Sequence, residues 1–373
     1  MTSIGIGLVG TGYMGKAHAV ALKAVGARFN TRLRPVCEMI CSTSAEGAAR
    51  KAAEFGFNAS TSRWQELVAH PGVAAVVIAS PQITHRPIAL AAFAAGKPVF
   101  CEKPLGASLE DARAMVAAAE ASRLANMVGF NYIRAPAMQL AREMIIGREL
   151  GEIIHVRAEH TEDFLADPQE PASWRTRDAC GGTLGDLSPH IINALLRLIG
   201  PIERLAADVQ TVYATRPGAS GAERVSNEDQ VNVLCRFGSG IMGSITVSRV
   251  ATGRKMGFAC EITGSRGALR FDAEDQNALW FYDAQARRGR RGFAKLLTSP
   301  EHPDFGAFCE GPGHGTGYAD QIIIEARDFL QAIDTGASIF PTFRDGFEVS
   351  RVIAAAALSS RERRWVELAE FQN

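Results

Sequence analysis

The N-terminal stretch of the chain constrains the fold more than any other part of the sequence. A short apolar strand over residues 4–9 runs directly into Gly-Thr-Gly-Tyr-Met-Gly at residues 10–15, and a helical pattern follows. This order of strand, Gly-x-Gly-x-x-Gly and helix predicts the first unit of a dinucleotide-binding Rossmann domain, although glycines also serve tight turns for purely structural reasons. The cofactor contacts that we predict in this turn are Gly10, Gly12, Tyr13, Met14 and Gly15.

The second predicted strand spans residues 33–38 and ends in an acid, Glu38, about two dozen residues after the last glycine of the turn. A carboxylate in this position accepts hydrogen bonds from the adenosine ribose and repels the 2′-phosphate of NADP. We therefore predict that Glu38 binds the cofactor and that the cofactor is NAD. The alternative is a strand-end carboxylate that simply faces water.

Apolar strands and helical segments alternate up to residue 131, which is typical of a parallel sheet that helices cover on both faces. Ligands of such sheets bind at the carboxyl ends of the strands. A histidine at a helix start, as at position 85, is also common for structural reasons. The cofactor-binding residues that we predict at this edge are Ser80, Pro81, His85, Glu102, Lys103 and Asn131.

Lys103 is the strongest catalytic candidate of this first half. It follows the apolar residues 98–101 and Glu102, so it is expected at the carboxyl edge of the sheet. A partly desolvated ammonium group beside a nicotinamide could polarise an alcohol or carbonyl oxygen. The alternative is a solvated lysine at the end of a strand.

The pattern changes beyond residue 136 to successive short strands with Gly-containing connections. Such a meander is mainly antiparallel and buries one face on its own helices, which leaves the other face for a partner subunit. A chain of 373 residues also exceeds the size at which one core keeps growing. We predict an α/β protein with an N-terminal Rossmann domain (1–131) and a C-terminal α+β domain (132–373) built on a large open, mainly antiparallel sheet.

A second catalytic candidate is the segment Gly-Asp-Leu-Ser-Pro-His at residues 185–190, which precedes a predicted helix over 191–199. If Asp186 caps that helix, the proline falls in its first turn and His190 lies one turn beyond Asp186 on the same face. An imidazole oriented by a carboxylate suits the transfer of a hydroxyl proton. The alternative is a capping aspartate with an incidental histidine.

Composition excludes several other classes of function. Lys and Arg balance Asp and Glu at 40 each, so no overall charge attracts nucleic acid or an anionic membrane. The seven cysteines form no Cys-x-x-Cys and no zinc-like cluster, which predicts free thiols and no metal site. No secretion signal and no apolar run of membrane-spanning length is present, and we predict a cytoplasmic protein.

These motifs together resemble the glucose-fructose oxidoreductase, inositol dehydrogenase and MocA family of NAD(P)-dependent oxidoreductases. The resemblance covers nearly the whole chain and implies that Lys103, Asp186 and His190 match the catalytic residues of the family and converge on the reactive ring of the cofactor. It is carried by Gly10-x-Gly12-x-x-Gly15-x-x-His18, Glu102-Lys103-Pro104, Gly182-x-x-Gly185-Asp186-x-x-x-His190 and Pro341-Thr-x-x-Asp345-Gly346.

Within the family, the chain looks like the branch that oxidises inositols and pyranoses, which includes scyllo-inositol/L-glucose and levoglucosan dehydrogenases. The resemblance implies NAD-dependent oxidation of a secondary or anomeric hydroxyl of an inositol, a sugar such as L-glucose or an anhydrosugar, and a homo-oligomer, dimeric or tetrameric. An NADP-linked keto-sugar reductase and a non-catalytic NAD-binding regulator stay open as alternatives. Arg175 is expected to contact cofactor and substrate, and the substrate-binding residues as a whole are Lys103, Tyr132, Arg175, Asp186, His190 and His314.

Overall fold

The computed structural model describes residues 1–371. The described chain divides into two compact units. The first unit comprises Met1–Arg134 and Gly317–Ser350, and the second comprises Ala135–Thr316 and the residues from Arg351 onward.

The first unit begins with strands that alternate with helices, as the apolar pattern predicts. Its central strands are buried on both faces, which explains why they read as continuous runs of branched aliphatic residues. The elements in chain order are β1 (Thr2–Val9), α1 (Tyr13–Arg28), β2 (Leu33–Cys41), α2 (Ala45–Phe55), β3 (Ala59–Thr61), α3 (Trp64–Ala69), β4 (Ala75–Ile78), α4 (His85–Ala94), β5 (Val99–Glu102), α5 (Leu109–Ser122) and β6 (Asn126–Gly129).

Within residues 1–371, these strands form one six-stranded sheet in the order β3-β2-β1-β4-β5-β6. Every neighbouring pair is parallel. The strand order reverses between β1 and β4, and doubly wound sheets bind their ligands at such a switch point. The glycine-rich turn follows β1 and therefore lies at this point. The N-terminal half of the predicted fold class is confirmed.

The prediction that the second strand ends at Glu38 is wrong. β2 continues to Cys41, because β1 runs beside it as far as Val9 and pairs with Cys41 there. Glu38 is the extra residue of a bulge, since Ile6 pairs with Cys37 and the next residue of β1 pairs with Met39. The acid lies three residues before the carboxyl end of the strand.

The second unit contains the predicted run of short strands, with helices inserted after the first of them. Its elements in chain order are α6 (Pro136–Ile146), β7 (Ile153–Thr161), α7 (Trp174–Arg177), α8 (Thr183–Asp186), α9 (Ser188–Leu198), β8 (Ile202–Gln210), β9 (Thr215–Gly218), β10 (Gly221–Arg224), β11 (Gln230–Phe237), β12 (Met242–Ser248), β13 (Gly257–Gly264), β14 (Gly267–Asp272), β15 (Ala278–Asp283) and β16 (Ala294–Leu297).

A nine-stranded sheet dominates the part of this unit that the structure describes. Its order is β16-β15-β14-β13-β7-β12-β11-β8-β17, where β17 is Val366–Glu367, and β9 and β10 pair separately as a hairpin. The strands pair antiparallel except for β7 with β12, which are parallel. Buried and exposed side chains alternate along β11, as expected for a sheet with one open face. The C-terminal half of the predicted fold class is confirmed.

Two long helices follow, α10 (Tyr318–Thr335) and α11 (Phe343–Glu362). α10 packs against α1 and buries Ile322, Ile324 and Phe329. Because of this apolar stripe, the segment from residue 317 to 350 belongs to the first unit. From the sequence, the same segment was predicted to lie in the domain 132–373. Among the described helices, none combines the length and the apolar character needed to cross a membrane.

Candidate active site

The three glycines of the turn after β1 meet different steric demands. Gly10 has φ +111°, and a Cβ there would lie 2.3 Å from the carbonyl oxygen of Ala79. A Cβ on Gly15 would lie 2.2 Å from the carbonyl oxygen of Gly10, so the first turn of α1 could not pack as it does. A Cβ on Gly12 would meet nothing within 4 Å.

The start of α1 fits the pyrophosphate of a dinucleotide. Gly12 is the N-cap of this helix, and it supplies no side-chain hydrogen bond to the N–H groups of the first turn. The open space beside Gly12 lets an anion reach those N–H groups and the positive end of the helix dipole. Tyr13 is 72 % exposed at this turn and remains available for a contact.

Glu102 supports Lys103 from inside the first unit. Its Oε1 lies 2.7 Å from Nε2 of His18 on α1, and both residues are buried. Its Oε2 accepts a hydrogen bond from the backbone N–H of Lys103 at 3.3 Å. The carboxylate thus links the helix that begins at the phosphate-binding turn to the lysine at the end of β5. From the sequence, His18 was noted only as the last residue of the glycine-rich motif, and no role was predicted for it.

A second acid lies near this pair. Glu325 on α10 is fully buried, and burial together with the negative charge of Glu102 raises the pKa of its carboxyl group well above the usual value. This shift favours the protonated form of Glu325, the form that adds no second negative charge next to the Glu102 carboxylate. The amphipathic pattern of α10 gave no indication of this buried acid.

The contacts of His85 favour the structural alternative, and its predicted cofactor contact stays a prediction. The side chain is only 1 % exposed, and burial lowers the pKa of its imidazole. Nδ1 lies 3.0 Å from the carbonyl oxygen of Pro104, and Nε2 lies 2.9 Å from that of Ser80. His85 thus ties together the two loops that follow β4 and β5. Pro81 is exposed in the first of these loops, and its cofactor contact stays a prediction.

Asn131 and Tyr132 follow β6, as predicted. The Asn131 amide is buried and donates to Oε1 of Gln321 at 2.8 Å. The ring of Tyr132 lies 6.0 Å from the ring of Tyr318 on α10, centroid to centroid. The Tyr318 hydroxyl donates to Sδ of Met14 at 3.4 Å, and burial raises its pKa. These contacts join α10 to the glycine-rich turn. The predicted ligand contacts of Asn131 and Tyr132 stay predictions.

Asp186 does not cap the helix that carries His190. It is the last residue of α8, while α9 begins at Ser188 with Leu187 as an N-cap that makes no side-chain bond. Pro189 lies in the first turn of α9, as predicted. The Asp186 carboxylate instead lies beside another side chain of the second unit.

That neighbour is Arg175, whose Nε lies 3.5 Å from Oδ2 of Asp186. The guanidinium carbon lies 4.5 Å from the ring centroid of Trp174 and 5.6 Å from that of Phe164. Two aromatic faces therefore hold a cation beside the carboxylate. The structure brings together Arg175 and Asp186, two of the residues that were predicted to bind substrate.

His160, at the end of β7, is a residue that the sequence analysis missed. Its ring is fully buried and lies 5.7 Å from the ring of His190, edge to face. Nδ1 lies 2.8 Å from the carbonyl oxygen of Leu187, and Nε2 lies 3.1 Å from Oε1 of Glu162. The sequence did contain a signal for this residue. Every second side chain of β7 is buried, at Val156, Ala158 and His160, so the alternation alone places His160 on the buried face.

His314 lies exposed in the loop before α10, with its ring over Gly311. Its role in substrate binding stays a prediction. Among the residues that the structure describes, no cluster of three or more His, Cys, Asp or Glu side chains could hold a metal ion.

Two family models match the chain. One, described as an oxidoreductase family with an NAD-binding Rossmann fold, matches residues 4–132, and the other, a GFO/IDH/MocA C-terminal domain, matches residues 138–270. The chain belongs to the GFO/IDH/MocA oxidoreductase family. The resemblance found in the sequence is therefore confirmed, and NAD is the cofactor that the first unit is built to bind.

Members of this family are similar to the chain over its full length. It is 35 % identical to levoglucosan dehydrogenase of Pseudarthrobacter phenanthrenivorans, with 100 % of both chains covered. It is 28 % identical to inositol 2-dehydrogenase of Rhizobium meliloti, covering 98 % of this chain and 100 % of that one. A solved structure of levoglucosan dehydrogenase in complex with NADH and L-sorbose has a TM-score of 0.96 at 36 % identity, covering 99 % of each chain.

The glycine-rich turn allows a paired prediction. Gly12→Ala is expected to keep the wild-type melting temperature, because its Cβ enters open space, and to weaken NADH binding by about tenfold or more. Gly15→Ala is expected to lower both affinity and melting temperature, because its Cβ would press on the Gly10 carbonyl. Thermal unfolding and fluorescence titration with NADH check both variants. Unchanged NADH affinity in Gly12→Ala would contradict the assignment of this turn.

His160 allows a second prediction, because asparagine and glutamine mimic different ring nitrogens. The amide of His160→Asn can still reach the Leu187 carbonyl, whereas that of His160→Gln reaches Glu162 instead. We expect kcat to stay within a few-fold of wild type in the first variant and to fall about 10- to 100-fold in the second. NADH affinity should not change in either. Equal kcat values for the two variants would show that the Leu187 contact does not position His190.

Proposed function

We propose that this protein oxidises a secondary or anomeric hydroxyl group of a cyclic polyol or a pyranose, such as an inositol, L-glucose or an anhydrosugar, with NAD as the hydride acceptor. The supporting observation is the arrangement in the second unit, where Arg175 lies 3.5 Å from Asp186 at the end of α8 and His190 follows in the first turn of α9. Full-length similarity to levoglucosan dehydrogenase and to inositol 2-dehydrogenase supports the same class of substrate.

The catalytic residues of this proposal are Lys103, Asp186 and His190. His190 accepts the hydroxyl proton, and its nearly complete burial keeps competing water away from the imidazole. Asp186, with its negative charge partly balanced by Arg175, binds a substrate hydroxyl or orients the imidazole. The Lys103 ammonium group stabilises the negative charge that develops on the oxygen. Bound NAD supplies the carbon that takes the hydride.

The test is NADH formation by the purified full chain with a panel of inositols, aldopyranoses, ketoses and anhydrosugars. Turnover with at least one cyclic polyol or sugar is expected, and it should fall by orders of magnitude in His190→Asn and in Asp186→Asn. A protein that binds NADH but turns over none of these compounds would contradict the proposal and revive the non-catalytic alternative.

The open face of the nine-stranded sheet is the proposed surface for self-association. Leu234 on β11 and Met242 on β12 are diagonal neighbours there, and 56 % and 46 % of their surfaces are exposed. Apolar side chains that are exposed side by side on the open face of a sheet favour burial against a second copy. Light scattering after gel filtration should give a dimer or tetramer mass that decreases in Leu234→Asp.

The cytoplasm is the proposed compartment. All seven cysteines lie within the described residues as free thiols, and disulfides are rare where glutathione keeps thiols reduced. Burial also raises the pKa of Cys235 and of Cys260 to about 12, which keeps both thiols unreactive.

A further inference from the structure

The carboxyl end of β2 carries a hydroxyl group in place of an acid. The Cys41 carbonyl oxygen accepts a hydrogen bond from the backbone N–H of Gly10 at 3.0 Å, so the strand ends directly beside the glycine-rich turn. Ser42 follows, and its Oγ lies 3.0 Å from Oγ1 of Thr11 within that turn. In a Rossmann domain, the residue at this place faces the adenosine ribose, and its charge discriminates between NAD and NADP.

Glu38 does not take this place. Its Oε2 accepts from the amide of Asn58 at 3.1 Å, and a Cβ on Gly72 would lie only 2.6 Å from its Oε1. Gly72 precedes β4, so Glu38 lies toward the opposite ends of the strands from the turn. Glu38 is therefore not placed to repel the 2′-phosphate of NADP, which was the reason for favouring NAD over NADP.

The carboxylate of Glu66 does lie near the end of β2, but it is paired with Arg63. Burial raises the pKa of the Cys41 thiol to about 11, and the negative charge of Glu66 adds to this effect. The Glu66 carboxylate accepts a hydrogen bond from the Thr61 hydroxyl and another from Nε of Arg63 at 2.8 Å. Thr61 pairs with Cys41 across the sheet. The charges of Arg63 and Glu66 thus balance at this edge.

We propose that Ser42, with Arg63 beyond the end of the adjacent strand, admits the 2′-phosphate of NADP, so that the protein binds NADP(H) as well as NAD(H). A serine hydroxyl donates to a phosphate oxygen and also bonds to a ribose hydroxyl, whereas a carboxylate repels the phosphate dianion. Arg63, two residues after β3, has a guanidinium group that can donate to a phosphate oxygen, and its pairing with Glu66 leaves no net negative charge at this edge. The inference extends the proposed function from one dinucleotide to two.

Direct titration of the purified full chain with NADH and with NADPH tests this inference. We expect the two dissociation constants to agree within about tenfold. Ser42→Asp should raise the dissociation constant of NADPH by about tenfold or more and leave that of NADH within about threefold. Arg63→Gln should weaken NADPH binding and reduce its dependence on salt. Glu38→Gln is the control and should leave the ratio of the two constants unchanged.

Three results would overturn the inference. The first is a wild-type protein that binds NADPH more than about 100-fold more weakly than NADH. The second is a Ser42→Asp variant in which the ratio of the NADPH and NADH dissociation constants is unchanged. The third is a Glu38→Gln variant in which that ratio is shifted. Each is read without substrate. Failure of the proposed reaction would instead appear as absent turnover in a protein that still binds its dinucleotide.

Discussion

Replacing Lys103 with alanine is expected to lower kcat by about 10²- to 10⁴-fold while NADH binding survives. β5 ends at Glu102, so Lys103 stands at the carboxyl edge of the parallel sheet, where ligands of this architecture bind. Its backbone is fixed by the Glu102 carboxylate, which His18 holds in turn. The phosphate-binding turn is not altered by the substitution, so the loss should appear in the chemical step. Steady-state kinetics and a separate NADH titration check this.

Lys97 provides the matched control, because it lies just before the opposite end of the same strand. Its ammonium group donates to the carbonyl oxygen of His70 at 2.8 Å, away from the carboxyl edge. Lys97→Ala is expected to keep kcat within about twofold of wild type, as for a substitution that leaves the chemical step unchanged. Equal turnover in the Lys103 and Lys97 variants would remove Lys103 from the mechanism. A parallel loss of NADH affinity in Lys103→Ala would assign it to cofactor binding alone.

The parallel sheet was predictable because its signals are local. Runs of buried aliphatic residues, separated by helical segments, mark strands that are covered on both faces, and the glycine spacing marks the first turn. The misplacement of Glu38 has a physical cause in the bulge opposite Ile6. An extra residue in one strand leaves no trace in a single sequence, so the polar residue was taken for the end of β2.

The residues that support the site were less predictable than the residues expected to perform chemistry. His160 on β7 contacts the carbonyl of Leu187, the N-cap of α9, and His18 contacts Glu102 over a separation of 84 residues. Such contacts depend on which elements become neighbours. The same limit applies to α10, whose apolar stripe was evident although the helix on which it packs was not.

The largest loss of stability is expected from Arg249→Met, at about 3–5 kcal/mol of unfolding free energy. Arg249 is 1 % exposed, and its Nε donates to Oδ1 of Asp229 at 2.9 Å. Nη1 donates to the carbonyl oxygens of Arg175 and Gly181 at 2.6 and 2.9 Å, and Nη2 donates to the Asn227 amide oxygen at 2.8 Å. The variant would leave Asp229 as a buried charge without its cation. It would also remove the guanidinium donor from both carbonyls, of which the Arg175 carbonyl keeps a second donor in the Asn227 amide.

The exposed Arg254 is the matched control, five residues further along the chain. It pairs with Glu159 at 3.4 Å and with Glu274 at 3.0 Å, and 40 % of its side chain is exposed, so that water screens both pairs. Arg254→Met is therefore expected to cost no more than about 1 kcal/mol. Urea denaturation followed by circular dichroism compares the two variants, and equal m-values would show that the same unfolding transition is being measured.

Adding Asp229→Asn to Arg249→Met should recover part of the lost stability, because the double variant no longer buries an uncompensated carboxylate. Catalysis should not recover with it. The carbonyl oxygens of Arg175 and Gly181 still lack the guanidinium donor, which holds the segment from which Arg175 reaches Asp186. If the double variant regained kcat together with stability, Arg249 would serve the fold alone. If kcat stayed low in the restabilised protein, the buried guanidinium would be shown to hold the substrate-binding segment in its working geometry.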